Sequence, residues 1–148
     1  MKLRVKIKRV KDVKLPKYAK PGDSGFDLVA AEDTVIWPDE TKVVQTGLAF
    51  EIPPGYELQV RPRSGMTRNT KLRVALGTVD SGYRGEVGVL VDNTEIPISL
   101  NMKAHVIERG TRIAQGVIAP VETAHFVEVN ELSHSERGIG GFGSTGAK

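Results

Sequence analysis

Apolar and polar residues alternate along this chain in short runs, the period expected of half-buried β-strands. Runs of this kind stand at Leu3–Ile7, Thr34–Trp37, Lys42–Gln45, Leu48–Ile52 and Tyr56–Val60. They resume at Val87–Val91, Ile96–Leu100, Ala104–Ile107, Arg112–Ile118 and Phe126–Val129. Turn residues separate them, as at Trp37-Pro38-Asp39, Pro53-Pro54-Gly55 and Asp92-Asn93-Thr94. Gly77 to Glu86 reads as a strand and a tight corner, returning into the apolar run Val87–Val91. The pattern predicts an all-β fold of the sandwich, jelly-roll or barrel kind, with at most one short helix near residues 65–71.

Composition narrows this reading. Sixteen glycines and eight prolines spread through 148 residues leave little room for a long helix, and the length suits one domain with a real core. The absence of cysteine excludes disulfides and thiolate metal sites and makes the reducing cytoplasm the expected compartment. The opening Met1–Lys8 lacks the continuous apolar core of a signal peptide, and nothing downstream reaches membrane-spanning length. A soluble intracellular protein without a membrane partner is therefore expected. The net charge of +3 is concentrated in Lys2 to Lys20. Those cations alternate with apolar residues and no aromatic platform is interleaved, which favours a solvated strand face over direct nucleic-acid binding. A basic balance also suits a small polyanion such as a nucleoside triphosphate.

Several places carry candidate chemistry. Asp80 and Tyr83 sit three apart in the glycine-rich corner, where the same letters serve a structural turn or a site open to close approach. Pro62-Arg63-Ser64-Gly65 follows a strand, offering either a phosphate contact or a capping serine. Asp27 follows a glycine corner at a strand start, suited to capping a turn or to organising a cation or water. Gln115 interrupts an apolar strand, either as an outward residue or as a ligand. Residues 137–148 are too rich in glycine to pack as a strand, and ordering them costs roughly 1–2 kcal/mol per residue. They form either a plain tail or a mobile clasp for an anion. His105, His125 and His134 are too dispersed for a zinc motif, and no Gly-x-Ser-x-Gly elbow is present.

Taken in order, five glycine-punctuated segments resemble the trimeric dUTP diphosphatase (dUTPase) family. They are Gly22–Ala31, Pro62–Gly65, Gly77–Gly85, Gly110–Gln115 and Arg137–Gly146, and together they span most of the chain. The resemblance implies a distorted jelly-roll β-barrel over residues 1–136 and a mobile tail, 137–148, that closes over a neighbour's active site in a homotrimer. It implies Mg²⁺-assisted hydrolysis of dUTP to dUMP and diphosphate, which limits uracil in DNA and supplies dUMP for dTMP synthesis. By the same resemblance Asp80 activates the attacking water, while Arg63, Ser64, Gly65 and Gln115 contact phosphate. Gly77 and the corner's main chain read uracil, and Tyr83 packs on the deoxyribose. Phe142 stacks on the base, Arg137, Gly143, Ser144 and Thr145 wrap the distal phosphates, and Asp27 supports the water and phosphate network. Mg²⁺ is expected on the triphosphate and waters rather than on protein ligands.

Three positions depart from the family pattern. Gly82 replaces an acid before the tyrosine, Thr111 replaces an aspartate, and Ile139 replaces a small polar residue. The related dCTP deaminase branch is the alternative, but it needs a glutamate where this chain has Leu90. A regulatory module without turnover is the other alternative; its partner surface would fall on Thr94–Asn101 or the basic first strand.

Overall fold

The computed structural model describes residues 2–98 and 102–146. Eleven elements follow in order: β1 (Lys6–Arg9), β2 (Phe26–Val29), β3 (Thr34–Ile36), β4 (Thr41–Glu51), β5 (Tyr56–Arg61), α1 (Ser64–Asn69), β6 (Leu72–Val74), β7 (Gly77–Val79), β8 (Glu86–Asn93), β9 (His105–Ile107) and β10 (Arg112–Pro120). The strands form two four-stranded sheets, ordered β1-β4-β8-β6 and β2-β10-β5-β7, and a two-stranded pair, β3-β9. All their pairings are antiparallel. This is the expected all-β, jelly-roll type of fold, but the sheets stay separate and do not close into a continuous barrel.

Alternation explains how the sheets pack. In β8, Val87, Val89, Val91 and Asn93 face inward while their neighbours point out. In β5, Leu58 and Val60 do the same. With Leu28, Ile36, Val44, Ile52, Leu72, Ile107 and Ile113 they form one apolar core. Each such side chain contributes about 1.5–3 kcal/mol when removed from water. The buried amide of Asn93 is satisfied: its Nδ2 donates to the Ile36 carbonyl at 3.0 Å and its Oδ1 accepts the Glu95 N–H at 3.1 Å.

Four expectations change in the structure. Lys42–Gln45 and Leu48–Ile52 are parts of a single strand, β4, whose register with β8 shifts between Gln45 and Ala49. Gly47 turns the chain there with φ of 72°, and Thr46 Oγ1 donates to the Val87 carbonyl at 2.7 Å, holding the irregularity onto β8. Secondly, β7 and β8 do not pair with each other. β7 pairs with β5, whereas β4 and β6 occupy both edges of β8. The corner at residues 80–85 therefore carries the chain from one sheet to the other. Thirdly, Phe126–Val129 forms no strand, and Phe126, Val127 and Leu132 are 91%, 71% and 89% exposed. Fourthly, residues 96–98 form no strand, and the last two residues of that expected segment lie outside the described residues.

Candidate active site

Strand register brings three of the five motifs together. Across β10, Gln115 lies opposite Asp27 of β2 on one side and Arg61 of β5 on the other. The chain leaving β5 passes through Pro62 to Arg63, directly beside them. Gln115 Nε2 donates to the Pro62 carbonyl at 3.0 Å, which ties the two strand ends. Asp27 Oδ1 accepts Arg63 Nε at 3.0 Å, and its Oδ2 lies 3.7 Å from Arg112 Nε. Arg63 Nη1 also donates to the Arg112 carbonyl at 3.3 Å.

The result is a half-exposed cluster of two guanidinium groups on one carboxylate. Its charges sum to one excess positive, and a planar guanidinium held on one edge keeps its other donors for a phosphate. Gly25 lines the same corner. A Cβ there would lie 2.9 Å from Gln115 Oε1 and 2.9 Å from the Gly116 carbonyl, so only glycine lets β2 approach. Ser64 and Gly65 open α1 and are exposed. The capping position belongs to Arg63, in extended conformation, so Ser64 is the first helical residue and not the cap.

Arg112 is the member of this cluster that sequence reasoning missed. Its place in the motif Gly110–Gln115 was the available signal. Strand alternation could not place it, because the register with β2 shifts between Arg112 and Ala114.

Asp80 and Tyr83 lie elsewhere, while Gly77 starts β7 at the end nearer Arg63. Val60 faces Gly77 and Leu58 faces Val79, so β7 runs away from the Arg63 end of β5. Continuing that register puts Asp80 alongside Glu57. Glu57 to Arg63 is six positions, roughly 20 Å at about 3.3 Å per residue. One chain therefore holds the phosphate cluster and the acid–tyrosine corner at opposite ends of one sheet.

The corner itself is well supported. Tyr83 N–H donates to the Asp80 carbonyl at 3.1 Å, and the Tyr83 hydroxyl donates to the Glu86 carbonyl at 3.0 Å. Glu86 Oε2 accepts the Gly47 N–H at 2.8 Å and faces Lys11 Nζ at 3.0 Å. Asp80 is exposed beside this scaffold.

The third group of expected residues stands apart from both. After Pro120 the described residues contain no strand, and residues 121–139 are all exposed. Among the described residues, the hydrogen bonds of Arg137–Gly146 stay within the segment or reach Ser135. Arg137 Nε, for example, donates to the Gly140 carbonyl at 2.7 Å. Phe142 is fully exposed, with φ of 49°. Gly143, Ser144 and Thr145 follow it in a turn, and residues 147–148 lie outside the described residues.

Comparison with known proteins identifies the family. The dUTPase sequence profile matches residues 11–146. The deoxyuridine 5'-triphosphate nucleotidohydrolase of Thermobifida fusca is 52% identical over 97% of this chain and 79% of its own. That of Nautilia profundicola is 49% identical over 97% and 99%. Among solved structures, a dUTPase of Staphylococcus bacteriophage 80alpha with dUpNHpp superposes with a TM-score of 0.89 at 31% identity, covering 97% of this chain and 98% of that one. A mutant dUTPase of phage phi11 of S. aureus, described with a structural Mg(II) ion, gives 0.79 at 27% identity, covering 87% and 98%. This chain belongs to the dUTPase family.

Proposed function

We propose that the protein hydrolyses dUTP to dUMP and diphosphate at sites assembled between copies of the chain. The observation that carries the assembly is the separation of Asp80 and Tyr83 from the Arg63–Asp27–Gln115 cluster along one sheet. In a homotrimer, the acid corner of one copy meets the phosphate cluster of a second, and the Arg137–Gly146 segment of a copy closes over both. The dCTP deaminase reading is not favoured: Leu90 is half exposed on β8 and brings no proton-transfer group.

At such a site each group has a definite task. Arg63, with Ser64, Gly65 and Gln115, binds the phosphates, and Arg112 adds a second guanidinium to the cluster. Asp27 orients both arginines through its two oxygens. Asp80 accepts the proton of the water that attacks the α-phosphorus, and the diphosphate leaves. General-base assistance of this kind contributes about 10²–10⁴-fold. Positioning and charge neutralisation supply the rest. Tyr83 lies against C2′ of the deoxyribose, where a ribose hydroxyl would clash or remain unsatisfied. Gly77 lets the main chain approach the uracil edge. Phe142 stacks on the base, and Arg137, Gly143, Ser144 and Thr145 wrap the distal phosphates. The segment's ordering cost is met only with substrate present, which couples recognition to water exclusion.

Magnesium fits this site through the substrate. Among the described residues no three His, Asp or Glu side chains converge. Asp27 is already engaged by two arginines. The oxygens suited to the ion are those of the triphosphate and its waters, with Asp27 supporting the surrounding network. When bound, Mg²⁺ neutralises charge on the triphosphate. No described helix is long and apolar enough to cross a membrane, and we place the activity in the cytoplasm, or in host cytoplasm for a viral source.

Incubating the purified chain with Mg²⁺ and each nucleotide in turn tests the reading. Diphosphate and dUMP from dUTP are expected. Ammonia from dCTP, or no diphosphate from dUTP, would overturn it.

A further inference from the structure

We propose that Gly85 and Glu86 are positioning residues that fix the Tyr83 ring and, through it, set the preference for deoxyribose over ribose. The inference rests on the reading of Tyr83 as the sugar contact. The ring is 48% exposed, so core packing does not hold it. It is folded back over its own turn instead, with its hydroxyl on the Glu86 carbonyl at 3.0 Å.

Beneath it lies Gly85. A Cβ at that position would stand 2.6 Å from Tyr83 Cζ and 3.0 Å from Cε1, with the hydroxyl oxygen nearer still. The Gly85 backbone is not in the left-handed region, so its conformation does not call for glycine. Room for the ring does. Gly82, in the same turn, has nothing within 4 Å of the equivalent point.

Glu86 supplies the second support. Its carboxylate is held by the Gly47 N–H and by Lys11, so the carbonyl that receives the tyrosine hydroxyl is tied to β4 and to the segment after β1. The ring's plane is thus set before substrate arrives, and a surface placed in advance discriminates without the cost of ordering it on binding. A methyl group on Gly85 would collide with the far end of a half-exposed side chain. The least costly relief is a swing of the ring, leaving the fold intact, and that swing opens the space denied to a 2′-hydroxyl.

Steady-state kinetics of the full chain on dUTP and UTP test this, using Gly85→Ala, Gly82→Ala, Tyr83→Phe, Tyr83→Ala and the Gly85→Ala/Tyr83→Ala double variant. In Gly85→Ala the dUTP-to-UTP ratio of kcat/KM is expected to fall about tenfold or more, within the range a single lost steric contact gives. The loss on dUTP should lie mainly in KM, because Asp80 keeps its place. Gly82→Ala should keep the wild-type ratio. Tyr83→Phe, which loses only the hydrogen bond to Glu86, should lower the ratio about threefold. In the Tyr83→Ala background, adding Gly85→Ala should change the ratio no further. Wild-type selectivity in a folded Gly85→Ala, alongside lost selectivity in Tyr83→Ala, would overturn the proposal and leave the sugar contact standing. So would a Gly85→Ala loss that adds in full to that of Tyr83→Ala. If Gly85→Ala fails to fold, wild-type selectivity in Tyr83→Phe is the overturning result. Unchanged selectivity in Tyr83→Ala would remove the sugar contact itself.

Discussion

Asp80 is an exposed carboxylate on a braced corner, and its surroundings divide binding from chemistry. The phosphate contacts we propose, Arg63, Ser64 and Gln115, lie at the other end of the sheet. Asp80→Asn is therefore expected to bind a non-hydrolysable dUTP analogue within a few-fold of wild type, while kcat falls by about 10²–10⁴. Calorimetric titration beside single-turnover kinetics measures both, and unchanged turnover would remove Asp80 from its role. At this scale the sequence was informative in an uneven way. Asp80 and Tyr83 stood out in a glycine corner that suits a structural turn equally well, and only the wider resemblance gave them roles. Arg63, Asp27 and Gln115 each had an ordinary structural explanation, and only register across β10 shows them converging. Arg112 was hidden by the bulge beside it. Gly85 was visible as a glycine, but the ring it accommodates was not, since that contact depends on how Tyr83 folds back.

Elements were legible where alternation is local and less so where pairing is distant. The patterns of β5 and β8 follow from alternating residues alone. That β7 and β8 part into different sheets does not, because Asp and Gly at a corner suit a hairpin equally well. Phe126–Val129 has a strand's composition, yet it pairs with no strand of the chain, and composition alone does not supply a partner. The terminal segment makes a related point. Its hydrogen bonds are local, and nothing in the core rests on it. Deleting residues 137–148 is expected to leave the melting temperature within a few degrees of wild type and to reduce kcat/KM for dUTP at least about 100-fold, as loss of a closing segment does. Full activity in the truncated protein would mean that the segment takes no part in the site.

At the scale of the whole molecule, the Arg63 cluster and the Asp80 corner, which we propose to be two halves of one site, sit at opposite ends of a sheet. Sites built between copies have a genetic signature. Asp80→Asn and Arg63→Ala chains, each nearly inactive alone, should recover activity when unfolded and refolded together. Some mixed trimers then join an intact Asp80 from one copy to an intact Arg63 from another. A mixture no more active than its components would mean that both residues serve the same site from one chain. The geometry that suggests this outcome is topological, set by which strand neighbours which, and no property of a single residue announces it.

For the proposed trimer, the stretch after Pro120 also bears on the life of the chain before copies meet. It displays Phe126, Val127, Val129 and Leu132 to solvent together. A newly made copy thus presents proteases and chaperones with an exposed segment in which apolar and acidic side chains alternate, the kind of segment they engage first. Neighbouring copies that cover it would remove the target, so the rate at which copies meet sets how many survive. Abundance of this protein would then rise more steeply than its rate of synthesis, because dilution lengthens the time each chain spends alone.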